Sequence, residues 1–266
     1  MHCVGILASP APRAQAAARR AEAFLAARGV VYSRDVEAPG AERPEALVAL
    51  GGDGTVLWAA RAAVRLDVPL LGINLGQVGF LAEVEAAGME EALAALLAGD
   101  YSLEERPLLS VRAGDVAREA LNDVVVSRGG YPRLIRVQAV VDGCPAGTCR
   151  ADGLVVATPT GSTGYSLSAG GPIVAPGVDC MILTPICAHS LQHRPQVVPG
   201  GAVVSLRLDP GEPSTASLQV DGEDCALLHA GDRVEIRRSP RRVRFIRMGQ
   251  QDFFDVVHRK LSEWTR

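Results

Sequence analysis

The sequence predicts a chain in two parts, a doubly wound α/β domain followed by an antiparallel β-sandwich. Three patterns carry that prediction. Over roughly the first hundred residues, short apolar runs alternate with Ala-rich helical stretches, as in a parallel sheet with helices on both faces. From near Glu104 to about Arg247 the pattern changes to short strands of period two, separated by Gly, Pro and Asp turns. The last stretch, Asp252–Trp264, returns to helical spacing.

Taken in order, Val4–Ala8 is the first strand. Arg13–Arg28, rich in Ala, Arg and Glu, reads as a helix stopped by Gly29. Ala46–Leu50 is a second strand and runs into Gly51-Gly52-Asp53-Gly54-Thr55. A helix over Val56–Arg65 follows, with Thr55 as its N-cap. Val68–Ile73 is another strand, and Met89–Leu97 is a helix ended by Gly99. In the second part, Val204, Leu206 and Leu208 alternate with Ser205, Arg207 and Asp209. Arg242–Phe245 repeats that alternation, and Ile135–Ala139 does so less regularly. The final helix puts Phe253, Val257, Leu261 and Trp264 on one face. No internal repeat or low-complexity linker stands out, so close packing of the two parts is expected.

Composition narrows the function. Hydrophobic residues make up 48% of the 266 and charged residues 21%, enough for a true core. Lys plus Arg number 27 against 30 Asp plus Glu, a net charge of −3. A dedicated nucleic-acid binder would carry a basic excess, so no nucleic-acid partner is expected, though a local basic pocket for a small anion is compatible with the balance. Lys260 is the single lysine, which removes any phosphate loop of the Walker A type. The six cysteines form no CxxC pair and match no zinc framework. Free thiols, no basic leader before the apolar MHCVGILASP, and no run near the roughly 20 apolar residues of a membrane span suggest a cytoplasmic protein without a membrane partner. His189 and His193 flank a turn and read as structural; His2, His229 and His258 read as ordinary surface or packing residues. The Arg237–Arg247 cluster reads as the wet face of a strand.

Three segments carry chemistry. In the first, Gly51, Gly52 and Gly54 let backbone N–H groups approach an oxyanion, and the start of the following helix adds unpaired donors and a positive dipole end. Asp53 is out of place in an anion cradle, since it repels phosphate. Its useful roles are to hold a metal ion or to accept a proton from a hydroxyl nucleophile; its bland role is a hydrogen-bond acceptor in a tight turn. The second segment is the Asn122-Asp123 pair at the head of an apolar strand, suited to bracket a base edge and sugar hydroxyls, or simply a turn pair. The third is Arg150–Pro176, where the strand Leu154–Ala157 enters a loop dense in Thr, Ser and Gly. Small hydroxyls and free amides there suit phosphate and ribose, and Tyr165 offers a flat face to a base.

Together these segments resemble the NAD kinases. The matching stretches are GGDGT at Gly51–Thr55, GINLGQVGFL at Gly72–Leu81, Asn122-Asp123 and DGLVVATPTGSTGYSLSAGGPIVAP at Asp152–Pro176. TPICAHSLQHRP at Thr184–Pro195, QVDGE at Gln219–Glu223 and the tail FFDVVHRKL add to them. GGDGT is shared with lipid kinases; the long glycine–hydroxyl segment is specific. The resemblance implies an enzyme that phosphorylates NAD to NADP, with ATP or polyphosphate as donor and Mg²⁺ or another divalent cation. It implies an N-terminal α/β domain over residues 1–103, joined by 248–266 as the final helix packs back on it, and a NAD-binding sandwich over 104–247. Asp53 would be the catalytic base for the adenosine 2′-hydroxyl, and Gly52, Gly54 and Thr55 would line the donor phosphates. Phe80, Asn122, Asp123, Thr163, Gly164, Tyr165 and Ser168 would fall in the NAD pocket, with NAD held between the domains. Arg150 and Asp152 would reach a neighbouring subunit's site in a homodimer or homotetramer, and Asp221 is a recurring acid near the site. Gly164 stands where many relatives carry Ala, and Asp123 where many carry Glu. The chain shows no all-protein metal cage, which suits Mg²⁺ held by substrate phosphates and water. A lipid kinase would need an apolar acceptor groove in place of the hydroxyl-rich loop, and a non-catalytic NAD sensor would gain nothing from Asp53.

Overall fold

The computed structural model describes residues 1–40, 42–76, 79–130, 133–190, 192–211, 214–249 and 253–263. The chain forms two compact units, Met1–Glu105 with Val243–Arg266, and Arg106–Arg242.

The first unit begins with β1 (Cys3–Ala8), α1 (Pro12–Ala26), β2 (Val31–Ser33), β3 (Ala46–Gly51), α2 (Asp53–Leu66), β4 (Leu70–Asn74), β5 (Val84–Glu85) and α3 (Met89–Ala98). Strands β2, β1, β3 and β4 lie side by side in parallel, with β5 added to β4. Val4, Ile6, Val48, Leu50, Leu71 and Ile73 face α1 and α3, where Ala14, Ala18, Ala21, Leu25, Met89, Leu93 and Leu96 complete a buried cluster. Helix α2 buries Val56, Ala59, Ala60, Ala62 and Ala63, and Val56 packs close to Gly72 of β4. Helices therefore cover both faces, as strand–helix alternation requires. Two helix ends follow directly from glycine. Val30 N–H donates to Leu25 O and Gly29 N–H to Ala26 O, with Gly29 at φ +69°, a Schellman motif. Gly99, at φ +76°, closes α3 in the same way.

The second unit holds β6 (Ser102–Ala113, entering from the first unit), β7 (Val116–Ala120), β8 (Asp123–Ser127), β9 (Ile135–Val141), β10 (Cys144–Ala151) and β11 (Gly153–Ala157). A short helix α4 (Tyr165–Ser168) follows, then β12 (Cys180–Ile186), β13 (Gln196–Pro199), β14 (Val204–Leu208), β15 (Thr215–Val220), β16 (Glu223–His229) and β17 (Arg233–Arg247). Strands β10, β9, β14 and β17 pair antiparallel in one sheet; β13, β12, β11, β8, β15 and β16 form the other. Alternate residues of both sheets, among them Val124, Val126, Ile135, Val137, Leu154, Val156, Leu206, Leu218 and Ile236, meet in one buried cluster. This is the antiparallel sandwich that the period-two spacing demands. The end of β17 returns to the first unit, where Phe245 pairs with Leu70, and α5 (Phe253–Glu263) completes that unit.

Two expectations are corrected and a third is extended. Thr55 is not the N-cap of its helix. That helix begins at Asp53, with extended Gly52 as N-cap, and Thr55 sits in its first turn with its N–H on Gly52 O. Gly54 therefore falls in that first turn, outside the helix interior where the backbone entropy of glycine is most costly. On α5 the inward stripe is Val256, Val257 and, partly, Phe253 and Lys260, while Leu261 is exposed. Asp252 and Trp264, both assigned to this helix from the sequence, lie outside the described residues. The arginines of Arg237–Arg247 are more than a wet face, since each of several meets a carboxylate: Arg237 with Glu235, Arg238 with Asp179, Arg241 with Glu119, Arg244 with Asp67 and Arg247 with Glu104.

Candidate functional site

In the first unit the polar constellation starts where β3 ends. Gly51 closes the strand, and a Cβ there would overlap the Thr55 side chain. Gly52 and Gly54 are different: both are exposed, neither takes a positive φ, and a Cβ on either would meet nothing within 4 Å. The protein's own packing does not call for glycine at these two positions, so the space beside them is open to something that is not part of this unit. Asp53, between them, is fixed. Phe80 N–H donates to its Oδ2 at 2.8 Å and Leu81 N–H to its Oδ1 at 3.1 Å. The approach of this loop is so close that a Cβ on Gly79 would overlap the Asp53 carboxylate. Lys260 of α5 brings its Nζ to 3.9 Å from Asp53 Oδ2 and 4.7 Å from the Phe80 ring centroid. Asp53 keeps one third of its side chain exposed, Lys260 only 15%. The loop is braced from behind by Arg247, which pairs with Glu104 at 2.6 Å and Glu83 at 3.6 Å and also donates to Leu81 O. Burial pushes the Glu83 carboxyl above its ordinary range.

In the second unit, strand register gathers the site. Asp123 at the head of β8 pairs with Ala157 at the end of β11, and Val124 pairs with Val220 at the end of β15. The loop after Ala157 and the turn after Val220 therefore leave the sheet at the same end as Asn122-Asp123. That turn is Asp221-Gly222, with φ of +49° and +78°, the pairing an Asp-Gly hairpin favours. The Asp221 carboxylate folds back to accept the N–H groups of Leu121, Asn122 and Asp123 at 2.9, 2.8 and 3.2 Å. Asp123 is 6% exposed, and burial first, then the charge of Asp221, pushes its carboxyl up to about 7. Three N–H groups point at Asp221, and Asp123 is the carboxyl of the two whose proton is held up to about neutral pH. Asn122 Oδ1 is buried and has no hydrogen-bond partner among the described residues.

The Thr158–Ser168 loop is tied to the same strands. Thr158 N–H donates to Asn122 O and its hydroxyl to Leu121 O, and a Cβ on Gly161 would overlap Asn122 O. Gly164 lies beside both side chains of the pair, its built Cβ 3.6 Å from Asn122 Nδ2 and 3.7 Å from Asp123 Oδ2. Several hydroxyls are spent inside the fold: Ser162 on Val174, Thr163 on Thr160 O, and Ser166 on Thr184. Tyr165 and Ser168 face outward, the Tyr165 side 43% exposed.

Arg150 and Asp152 do not join this cluster. Gly153 pairs with Ser127 at the far end of β8, so Asp152 stands one strand length from Ala157, roughly 16 Å at about 3.3 Å per residue. There Asp152 pairs with Arg128 at 2.6 Å, and Arg150 is exposed. Sequence reasoning also passes over Gly79, Leu81, Gly161 and Lys260. The first three act through backbone proximity, which leaves no compositional mark. Lys260 does leave one, as the only lysine in an arginine-rich chain. Among the described residues no three His, Cys, Asp or Glu side chains gather as a cation site, and no helix is long and apolar enough to cross a membrane.

Comparison with known proteins is consistent across sequence and structure. Residues 8–101 match the family model of the ATP-NAD kinase N-terminal domain, and residues 121–248 that of the C-terminal domain. A protein of Magnetococcus marinus named NAD kinase is 44% identical over 225 residues, covering 83% of this chain and 74% of its own. One of Heliobacterium modesticaldum with the same name is 41% identical over 99% of both chains. Among solved structures, yeast NADH kinase complexed with NADH superposes with a TM-score of 0.87 at 26% identity, covering 98% of this chain and 88% of that one. An NAD kinase from Archaeoglobus fulgidus in complex with ATP does so with a TM-score of 0.77 at 27% identity, over 98% of each.

Proposed function

The chain belongs to the NAD kinase family and is an enzyme of that family, and from that premise we propose that it transfers the γ-phosphoryl group of ATP to the adenosine 2′-hydroxyl of NAD, making NADP, with Asp53 as general base. The observation that carries this reading is the placement of Asp53. It opens α2 directly after the glycine turn, both oxygens oriented by backbone N–H groups, with a third of the side chain still open. Each oxygen accepts one N–H and keeps a lone pair, so the carboxylate is held in one orientation without being used up. Gly52 and Gly54, which nothing in the fold crowds, leave room for the donor phosphates beside Thr55.

Asp53 takes the proton from the 2′-hydroxyl as its oxygen bonds to the γ-phosphorus. The bond from that phosphorus to the ADP oxygen breaks, ADP leaves, and Asp53 later returns the proton to solvent. Proton transfer of this kind supplies roughly 10²–10⁴-fold, so the remainder of the rate comes from alignment and charge stabilisation. On the acceptor side, Asn122 Oδ1 is a buried acceptor without a partner among the described residues, and Asp123, whose carboxyl is pushed up to about 7, offers a donor in its protonated form. An exposed Tyr165 ring and Ser168 complete the second unit's set together with Thr163 and Gly164, and Phe80 is the first unit's contribution to NAD binding in this reading. Asp221 acts from behind by fixing the backbone of Asn122 and Asp123.

A divalent cation would enter on the phosphates of the donor and screen their charge there. The place of Arg150 and Asp152, at the opposite end of β11 from Asn122-Asp123, supports a role in a neighbouring copy of a homodimer or homotetramer. ATP is the donor by likeness to the ATP-bound archaeal relative, and polyphosphate is the alternative. The test is NADP formation from NAD with ATP, and in parallel with polyphosphate, by wild type and Asp53→Asn. NADP made with ATP by wild type and nearly lost in the variant supports the reading. Equal turnover by both proteins overturns the role of Asp53.

A further inference from the structure

We propose that Lys260 is a catalytic residue of this phosphoryl transfer, supplying from the terminal helix the ammonium group that the glycine turn lacks. The inference rests on the function proposed above and adds to it a residue from the opposite end of the chain.

Charge arithmetic at the turn shows the need. The N-terminus of α2 offers about half a positive charge, and Asp53 at its first position brings a full negative one. The turn by itself is therefore net negative by about half a charge, a poor host for a polyanionic donor. One ammonium reverses the sign. The chain has a single lysine among its 27 basic residues, and that lysine is the one beside Asp53. Its place on α5 is also against the ordinary pattern. Lys260 lies on the inward stripe with Val256 and Val257, its side chain 15% exposed, while the apolar Leu261 next to it faces out. Lysine is among the side chains that rarely face inward without a partner.

The geometry shows what the ammonium is ready to do. At 3.9 Å from Asp53 Oδ2 it is too distant for a hydrogen bond, so none of its three N–H donors is spent on that carboxylate. The Phe80 ring, 4.7 Å away, holds the cation by its π-face without accepting a strong hydrogen bond. Lys260 thus balances Asp53 in the free enzyme and keeps its donors for the γ-phosphoryl oxygens, where charge spreads as the bond to ADP breaks. A compact ammonium suits this task as a point charge, and a guanidinium would carry the charge with a different shape.

The experiment compares wild type with Lys260→Met and Lys260→Arg in steady-state NADP formation, equilibrium ATP binding, equilibrium NAD binding and thermal denaturation. Methionine keeps much of the apolar stem against Phe80 and removes the charge. The expected result for Lys260→Met is a kcat lowered by about 10²-fold, several-fold weaker ATP binding, and an NAD dissociation constant within about twofold of wild type. Lys260→Arg recovers part of the loss. A Lys260→Met kcat within about threefold of wild type overturns the proposal, as does an equal loss in both variants accompanied by an equal drop in Tm, which marks a packing role. If the methionine variant does not fold, Lys260→Gln is scored by the same measures. Wild type that forms no NADP with ATP or polyphosphate overturns the parent reading and this one together. An active wild type with an active Lys260→Met variant overturns only the role of Lys260.

Discussion

Replacing Asp123 by Asn isolates the buried carboxyl pair of the second unit. In the folded protein burial and the neighbouring Asp221 raise Asp123 from 3.8 to about 7. The folded state therefore binds a proton there that the unfolded chain has already released once the pH exceeds about 4. Stability contributed by protonated Asp123 is complete below that point and is lost as pH rises through about 7, with no further change above. A shift of about three units at 1.36 kcal/mol each amounts to about 4 kcal/mol over the whole window, a slope near 1.4 kcal/mol per pH unit. The amide introduced by Asp123→Asn never ionises, and its NH₂ can donate toward the Asp221 carboxylate. Urea unfolding of both proteins at pH 5, 6, 7 and 8 reads the difference directly. The advantage of Asp123→Asn should grow by about 2 kcal/mol between pH 5 and 7 and level off by pH 8. Curves that run parallel from pH 5 to 8 would refute the claim that Asp123 stores a proton, and with it the donor role given to that residue.

Other perturbations address the remaining contacts. Asp53→Asn should cut kcat by about 10²–10⁴-fold with NAD binding retained. Because an amide nitrogen cannot accept the second backbone N–H of Phe80 or Leu81, unfolding measurements should also show a loss of about 1–3 kcal/mol. Gly79→Ala drives a methyl group into the Asp53 carboxylate, and kinetics should show a kcat collapse that approaches that of Asp53→Asn, while NAD affinity measured by equilibrium binding changes little. Asp221→Ala strips three backbone N–H groups of their acceptor; NAD binding should weaken by about tenfold or more, with Asp221→Asn intermediate, and unaltered binding in both would exclude an organising role.

Local order was legible wherever a residue's own conformational preference decides the outcome. Gly29 and Gly99 end their helices because the left-handed cap favours glycine, and the alternation of Val204, Leu206 and Leu208 is a strand because its two faces meet different surroundings. The start of α2 escapes the same logic: a glycine penalises a helix interior but is tolerated in the first turn, so Asp53 belongs to the helix and Thr55 does not cap it. The inward face of α5 escapes it too, because hydrophobicity alone cannot reveal that a lysine has a carboxylate and an aromatic ring to meet inside.

By itself the sequence determined the strand–helix alternation of the first part, the change to period-two strands in the second, the glycine turn with its carboxylate, and the Asn122-Asp123 pair, since each is a matter of neighbours along the chain. Only the tertiary structure decided which oxygens Phe80 and Leu81 would hold, that Asp221 would solvate three N–H groups a hundred residues upstream, and that Lys260 would stand by Asp53. Such partners lie far apart in sequence, and no local preference selects them. They are chosen by the packing of sheets and helices, whose register sets distances to a fraction of an ångström, and it is at that scale that a proton or a phosphate is held.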